Sequence, residues 1–282
     1  MEKSLKSSDF QPSQEAHFLM QNAAQILDWA AWAPGVAGKD AWREAASLTS
    51  FGLESSPSAK AAAIPAMLRR RLTPLGRALA EVLGPLAAKA PDAPWVYASR
   101  WGDAALATEL LTAAAHAEPL SPAKFAASVH NGPASLLSIA LGHKGALTAL
   151  ANGPFSAEAA FESAVSELLQ HETVILTVAE AKPPVDFDAP GVTHVWGLLL
   201  GRQNESTDPQ EWAEEKSKGP YCAITTRPFE SGEAPDPRLA ELAGRSADLE
   251  VLSWLIASEA PFFTHLDRHA AWVWAKSGTL AR

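Results

Sequence analysis

Residues 147–161 read LTALANGPFSAEAAF: an apolar run, an Asn-Gly-Pro turn, then an alanine-rich helix opening at Ser156. A strand that turns this abruptly into a helix is where many α/β enzymes mount a nucleophile. The helix N-terminus there offers free N–H groups and partial positive charge to an anion. The elbow residues are Asn152, Gly153, Pro154, Phe155 and Ser156. None is a thiol. Ser156 is the nearest hydroxyl, in a place that suits an N-cap, and no base is identifiable beside it.

Outward from the elbow, strand and helix patterns alternate. GALTALA (145–151), APWVYASR (93–100), TVILTVAE (173–180), HVWGLLLG (194–201) and YCAITTR (221–227) read as strands. DAALATELLTAAAHA (103–117) and SAEAAFESAVSELLQ (156–170) read as helices. SPAKFAASV (121–129) begins with Ser at a cap position and Pro at the first helical position, a preferred pairing. Residues 130–145 give a turn, an apolar helix and a glycine stop, and 64–90 give one or two helices interrupted near Pro74. EAHFLMQNAAQILDWAAWA (15–33) carries apolar residues at helical spacing and ends in Pro-Gly, which predicts a helix. Loops and short helices are expected over 34–63, a charged surface excursion over 202–219, a loop over 227–238 and a helix over 241–258. A Trp-rich end, HAAWVWAK, follows. Alternation with unbroken apolar strands is the pattern of an α/β sheet covered on both faces.

Composition narrows the function classes. The chain has 282 residues, an ordinary size for an α/β domain, and its 47% hydrophobic content suffices for a sizeable core. A net charge of −9 argues against a general nucleic-acid binder, since phosphate neutralisation needs a basic surface. The longest apolar runs fall short of the roughly 20 residues a membrane span needs. The polar start, MEKSLKSSDFQPSQE, lacks the apolar core of a secretion signal, so a cytoplasmic protein with no membrane span is expected. The single cysteine, Cys222, excludes an internal disulfide and a cysteine-based zinc site.

Other constellations are thin. SPAK matches S-x-x-K, and KSGT (276–279) resembles a second element of penicillin-binding enzymes, but the S-x-N element between them is missing. Ser121 has the simpler role of N-cap. His265 and His269 lie four apart, which on a helix would share one face; no H-E-x-x-H glutamate accompanies them. His116, His143, His171 and His194 are isolated in sequence and read as structural side chains. No G-x-S-x-G, Walker loop or G-x-G-x-x-G occurs, and no cofactor is expected.

The stretch SVHNGPASLLSIALGHKGALTALANGPFSAEAAFESA (128–164) resembles the N-terminal half of a β-ketoacyl synthase. Its order of an Asn turn at Asn131, a small-residue helix with Ser138-Ile139 before Gly142, then Gly145, a strand, the elbow and a helix is that family's order. DWAAWAPG, IPAMLRRRLTPLGRAL, VYASRWGDAALATELL and EPLSPAKFAASVHN extend the likeness to the truncated chain-length factors of aryl-polyene and type II polyketide systems. The resemblance spans about 25–185 and implies a thiolase-like, layered α-β-α fold. The expected organisation is a flexible tail over 1–14, a ketosynthase-like domain over 15–200 and, beyond the reach of the resemblance, a divergent extension over 201–282 packed on the same domain.

The family's cysteine falls at or beside Pro154, and its His-Gly-Thr-Gly-Thr motif is missing. A thiolate takes an acyl group readily from a thioester, and this chain offers none there. The resemblance therefore implies a non-catalytic subunit, a ketosynthase partner in a heterodimer, and an acyl carrier protein nearby. Phe155 is a candidate wall of the partner's pocket, with core packing as the plain alternative. His130, Asn131 and Ser138 are candidate interface or pocket residues, with a local turn role equally open. Arg69, Arg70 and Arg71 are candidate contacts for the carrier protein or the partner, against a solvated helix face. Two other functions stay open: an acyltransferase or synthase-like enzyme using Ser156 or Cys222, and a homodimeric carrier-protein scaffold.

Overall fold

A computed structural model describes residues 23–36, 38–46, 58–184, 192–203, 220–230, 232–234, 246–267, 270–277 and 280. The expected 1–14 tail, His269, the end of KSGT, the start of the 241–258 helix and most of the 202–219 excursion lie outside the described residues. Eight strands form one sheet: β1 (Ala23–Trp32), β2 (Trp95–Ala98), β3 (Leu147–Leu150), β4 (Thr173–Glu180), β5 (His194–Gly201), β6 (Tyr221–Arg227), β7 (Phe262–Leu266) and β8 (Ala271–Ser277). Their order is β3-β2-β4-β5-β1-β6-β8-β7. β2 runs parallel to β3 and β4, and every other pairing is antiparallel.

Helices cover both faces. On one face α1 (Gly38–Ala46), α7 (Ser156–Leu168) and α8 (Ala247–Ala257) enclose a core built on Phe161, Trp196, Leu252 and Trp274. On the other, α3 (Pro74–Lys89) and α6 (Gly132–Leu141) enclose Leu79, Leu83, Trp95, Tyr97 and Leu137. The short α2 (Ala66–Arg69) precedes α3, while α4 (Ala104–Ala115) and α5 (Pro122–Ser128) lie in the β2–β3 crossover. This is the expected α-β-α layering. β4 and β5 are apolar and buried along nearly their whole length because they lie mid-sheet between helix layers.

The helix expected over 15–33 is instead strand β1 where the chain is described, paired with β5 and β6. Its register against β5 shifts between Ile26 and Asp28, leaving Leu27 as an extra residue. The buried set therefore steps from Ala24 and Ile26 to Trp29. A β-bulge thus produces an i, i+3 spacing that imitates a helix. The helical placement of His265 is likewise overturned: His265 is on β7, which pairs antiparallel with β8, and Asp267 N–H donates to the Ala270 carbonyl at 2.9 Å. Elsewhere the caps follow the sequence. Ser121 Oγ accepts from Lys124 N–H at 3.3 Å, Asp103 caps α4 through Leu106 N–H at 3.2 Å, and Pro74 opens α3 after its Thr73 cap.

Candidate functional site

The parallel strands β2, β3 and β4 end on one side of the sheet, and the elbow leaves β3 there. In α/β sheets this edge is where ligands bind. Gly153 adopts φ +55, a left-handed conformation that favours glycine, and lets the chain reverse. Phe155 N–H then bonds the Asn152 carbonyl at 3.1 Å. The cap of α7 is Phe155, not Ser156, and its side chain makes no cap hydrogen bond. Ser156 is the first helical residue and is buried. Its Oγ accepts from Asn152 N–H at 3.0 Å and donates to the Gly153 carbonyl at 2.8 Å. The hydroxyl is thereby consumed in closing the turn. Cys222 is buried in β6, and burial pushes its thiol well above the ordinary range, which leaves it an inert hydrophobe.

His265, which spacing alone leaves without a role, stands beside the elbow. Its ring meets Phe155 edge-on with centroids 6.0 Å apart. Nδ1 bonds Glu158 Oε1 at 2.6 Å, in the first turn of α7, and Nε2 reaches Glu250 Oε2 at 3.3 Å on α8. Burial disfavours the charged ring, but the hydrogen bonds and charges of these carboxylates outweigh it and raise His265 to about 9. Trp274 Nε1 also donates to Glu158 Oε1, at 3.2 Å.

A second buried cluster lies at the end of β4 and the start of β5. His194 is fully buried, with Nε2 on Asp248 Oδ2 at 2.7 Å and Nδ1 on the Val192 carbonyl at 2.9 Å. Trp196 Nε1 and the Ser246 hydroxyl also donate to Asp248. Burial again opposes charge, and Asp248 overcomes it, so His194 is held above its ordinary value and Asp248 below. Glu180 faces His194 across the β4–β5 register and accepts from Arg100 N–H. Burial, then repulsion from Asp248, lifts its carboxyl to about 8. Nothing in the sequence spacing links these residues, because each pair joins different elements.

His130 holds the β2 end in place. Its Nε2 lies 2.9 Å from the Ser99 carbonyl and its ring meets Tyr97 edge-on at 5.8 Å. Asn131 is exposed with φ −81, so it does not take the left-handed form its residue type tolerates. Gly132 packs so close to α5 that a Cβ there would lie 2.3 Å from the Ala127 carbonyl oxygen. Ser138 Oγ donates to the Ser135 carbonyl at 2.8 Å, within α6. The elbow and the His130 turn thus share the strand-end region, whereas Arg69, Arg70 and Arg71 lie at the end of α2, with Arg70 and Arg71 exposed. The S-x-x-K pair is also accounted for: Ser121 caps α5, and Lys124 pairs with Glu109 in the open.

β3 is an edge strand, hydrogen-bonded to β2 alone among the described strands and half-exposed along its length. The crossover leading to it leaves large apolar side chains in the open on three successive helices: Leu111 (72% exposed), Phe125 (62%) and Ile139 (67%). Among the described residues, no helix is long and apolar enough to cross a membrane, and no group of three or more His, Cys, Asp or Glu side chains is placed to hold a metal.

A mixed sheet between helix layers, with an elbow at the parallel strand ends, defines a thiolase-like ketosynthase fold. The family model for the β-ketoacyl synthase N-terminal domain matches residues 40–275, and the chain belongs to that family. The match runs well past residue 185, where the motifs legible in the sequence stop. No curated protein matches the chain by sequence. Among solved structures, it is similar to a chain of a ketosynthase in complex with its chain length factor from Xenorhabdus doucetiae, at 21% identity and TM-score 0.69. That alignment covers 90% of this chain and 99% of the other. It is also similar, at 11% identity and TM-score 0.57, to a chain in a complex of a type II polyketide acyl-carrier protein with its hexaketide-bound ketosynthase, again over 90% and 99%. At these identities the likeness is one of fold.

Proposed function

We propose that the chain is a non-catalytic, ketosynthase-like chain-length factor: it pairs with a ketosynthase that carries the cysteine and forms part of the wall of that enzyme's acyl pocket. The observation that carries this reading is the chemistry of the elbow. The resemblance puts the family's nucleophile at or beside Pro154, where no thiol stands; Ser156 spends its hydroxyl on the turn, and Cys222 is buried in β6. Condensation needs an accessible activated nucleophile, and neither Ser156 nor Cys222 is one.

The β3 edge supports the pairing. Its free N–H and C=O groups suit strand addition, and the exposed Leu111, Phe125 and Ile139 beside it suit burial against a second chain of the same fold. In such a pair the elbow adjoins the partner's pocket, and Phe155 limits elongation sterically. Overpacking a dense interior costs about 1–3 kcal/mol, and each 1.36 kcal/mol slows a step about tenfold. Exposed Arg70 and Arg71 present positive charge to an acidic carrier protein.

Co-expression with the host's ketosynthases tests the proposal, read as the mass of the complex and as acyl-thioester labelling of each chain. A stable 1:1 heterodimer labelled on the partner alone is expected. Label on Ser156 or Cys222, or a persistent homodimer, overturns it.

A further inference from the structure

Gly153 and the Phe155 N–H bond to the Asn152 carbonyl fix the elbow backbone, but the turn does not itself orient the Phe155 ring. Phe155 is a cap residue without a side-chain hydrogen bond, and the residues leading to it, Ala151 and Asn152, are exposed. The Phe155 side chain is buried, and its ring meets that of His265 edge-on at 6.0 Å; His265 has no freedom of its own. Both of its nitrogens are engaged by carboxylates from different helices, Glu158 at 2.6 Å and Glu250 at 3.3 Å. Phe263 closes on it edge-on at 4.6 Å. Glu158 is fixed in turn by Trp274 Nε1. Rotating the imidazole would break a charge-assisted bond at each nitrogen, the one to Glu158 buried and the one to Glu250 part-buried.

The clamp grips the same helical turn that Phe155 caps. Glu158 lies three residues after Phe155, so the imidazole meets both the cap residue and the first turn of α7. We propose that His265 is a positioning residue: it fixes the orientation of the Phe155 ring, and through it the place where the pocket wall stands. The proposal rests on Phe155 being that wall. It gives the C-terminal hairpin β7–β8, reaching the elbow from the far end of the sheet, a part in product length.

The test has two readouts. In the full-length chain with 4-fluorophenylalanine placed at position 155, the fluorine resonance of H265A shifts and broadens, and H265Q, which retains one donor to Glu158, recovers part of the change. In the complex with its ketosynthase, F155A lengthens the products; H265A shifts them the same way by less, and the double variant matches F155A alone because the two act through one ring. Should H265A fail to fold, E250Q replaces it with the same expectations. An unmoved fluorine signal in a folded variant, or additive effects in the double variant, overturns the positioning role. Products unchanged by F155A overturn the wall reading instead, and in that case a moved fluorine signal still supports the clamp on the ring.

Discussion

His265 and Glu158 are 107 residues apart in sequence and 2.6 Å apart in space, on a strand and a helix that approach from opposite ends of the sheet. His194, on β5, and Asp248 repeat the arrangement at 2.7 Å. Asp248 and Glu250 both belong to the first turn of α8, where the helix dipole already favours anions. Two histidines from the sheet therefore hold one helix end, and His265 also meets the elbow through Glu158 and Phe155.

That arrangement makes the fold sensitive to alkali. His265 titrates at about 9 when folded, against about 6.5 in an unfolded chain. Its contribution is therefore complete below pH 6.5 and is lost as pH rises through about 9. Across that window the native state binds the extra proton, so stability falls by up to about 1.4 kcal/mol per pH unit from this group. Urea unfolding of wild type and H265Q at pH 6, 7.5 and 9 checks it. The difference between the two should shrink as pH rises, and a constant difference refutes the linkage.

Glu180 adds a second alkaline loss over a lower range. Its folded value near 8 lies above the ordinary carboxylate range, so the native state holds the proton between about pH 4.3 and 8. Stability falls with pH throughout that interval. Gln is the neutral isostere of the protonated carboxyl. E180Q should be near wild type at pH 5 and more stable than wild type at pH 8.5, measured as Tm at both values.

The strands of the ketosynthase-like half and the elbow are legible in sequence because their cues are local: apolar runs, the Asn-Gly-Pro turn, and caps at Ser121 and Asp103. β1 is not, because the extra residue Leu27 shifts its buried set out of the two-residue period. His265 is misplaced because a four-residue spacing between histidines fits a helix face, whereas His265 itself lies on strand β7. The buried carboxylates Glu158, Glu180 and Asp248 resemble surface residues in sequence. Their roles appear only once β5, β7 and the first turns of α7 and α8 are brought together.

The exposed crossover can be probed without disturbing the core. Phe125 and Ile139 are largely in solvent, and surface substitutions of that kind usually change stability by less than about 0.5 kcal/mol. F125E and I139E should therefore unfold like wild type. In the co-expressed complex each places a charge where apolar area would be buried, and the double variant should abolish pairing. Native mass spectrometry decides it: an intact heterodimer carrying both substitutions places the partner elsewhere.

Ser156 separates a structural hydroxyl from a catalytic one. Removing it takes away the acceptor of Asn152 N–H and the donor to the Gly153 carbonyl. Asn152 is exposed, so water can replace part of what is lost. S156A should cost about 1–2 kcal/mol, read from the urea midpoint, and should leave acyl-thioester labelling of the complex on the partner unchanged. A catalytic Ser156 gives the opposite pattern, with little loss of stability and disappearance of a label from this chain. The two hydrogen bonds, both satisfied with no base within the turn, favour the first outcome.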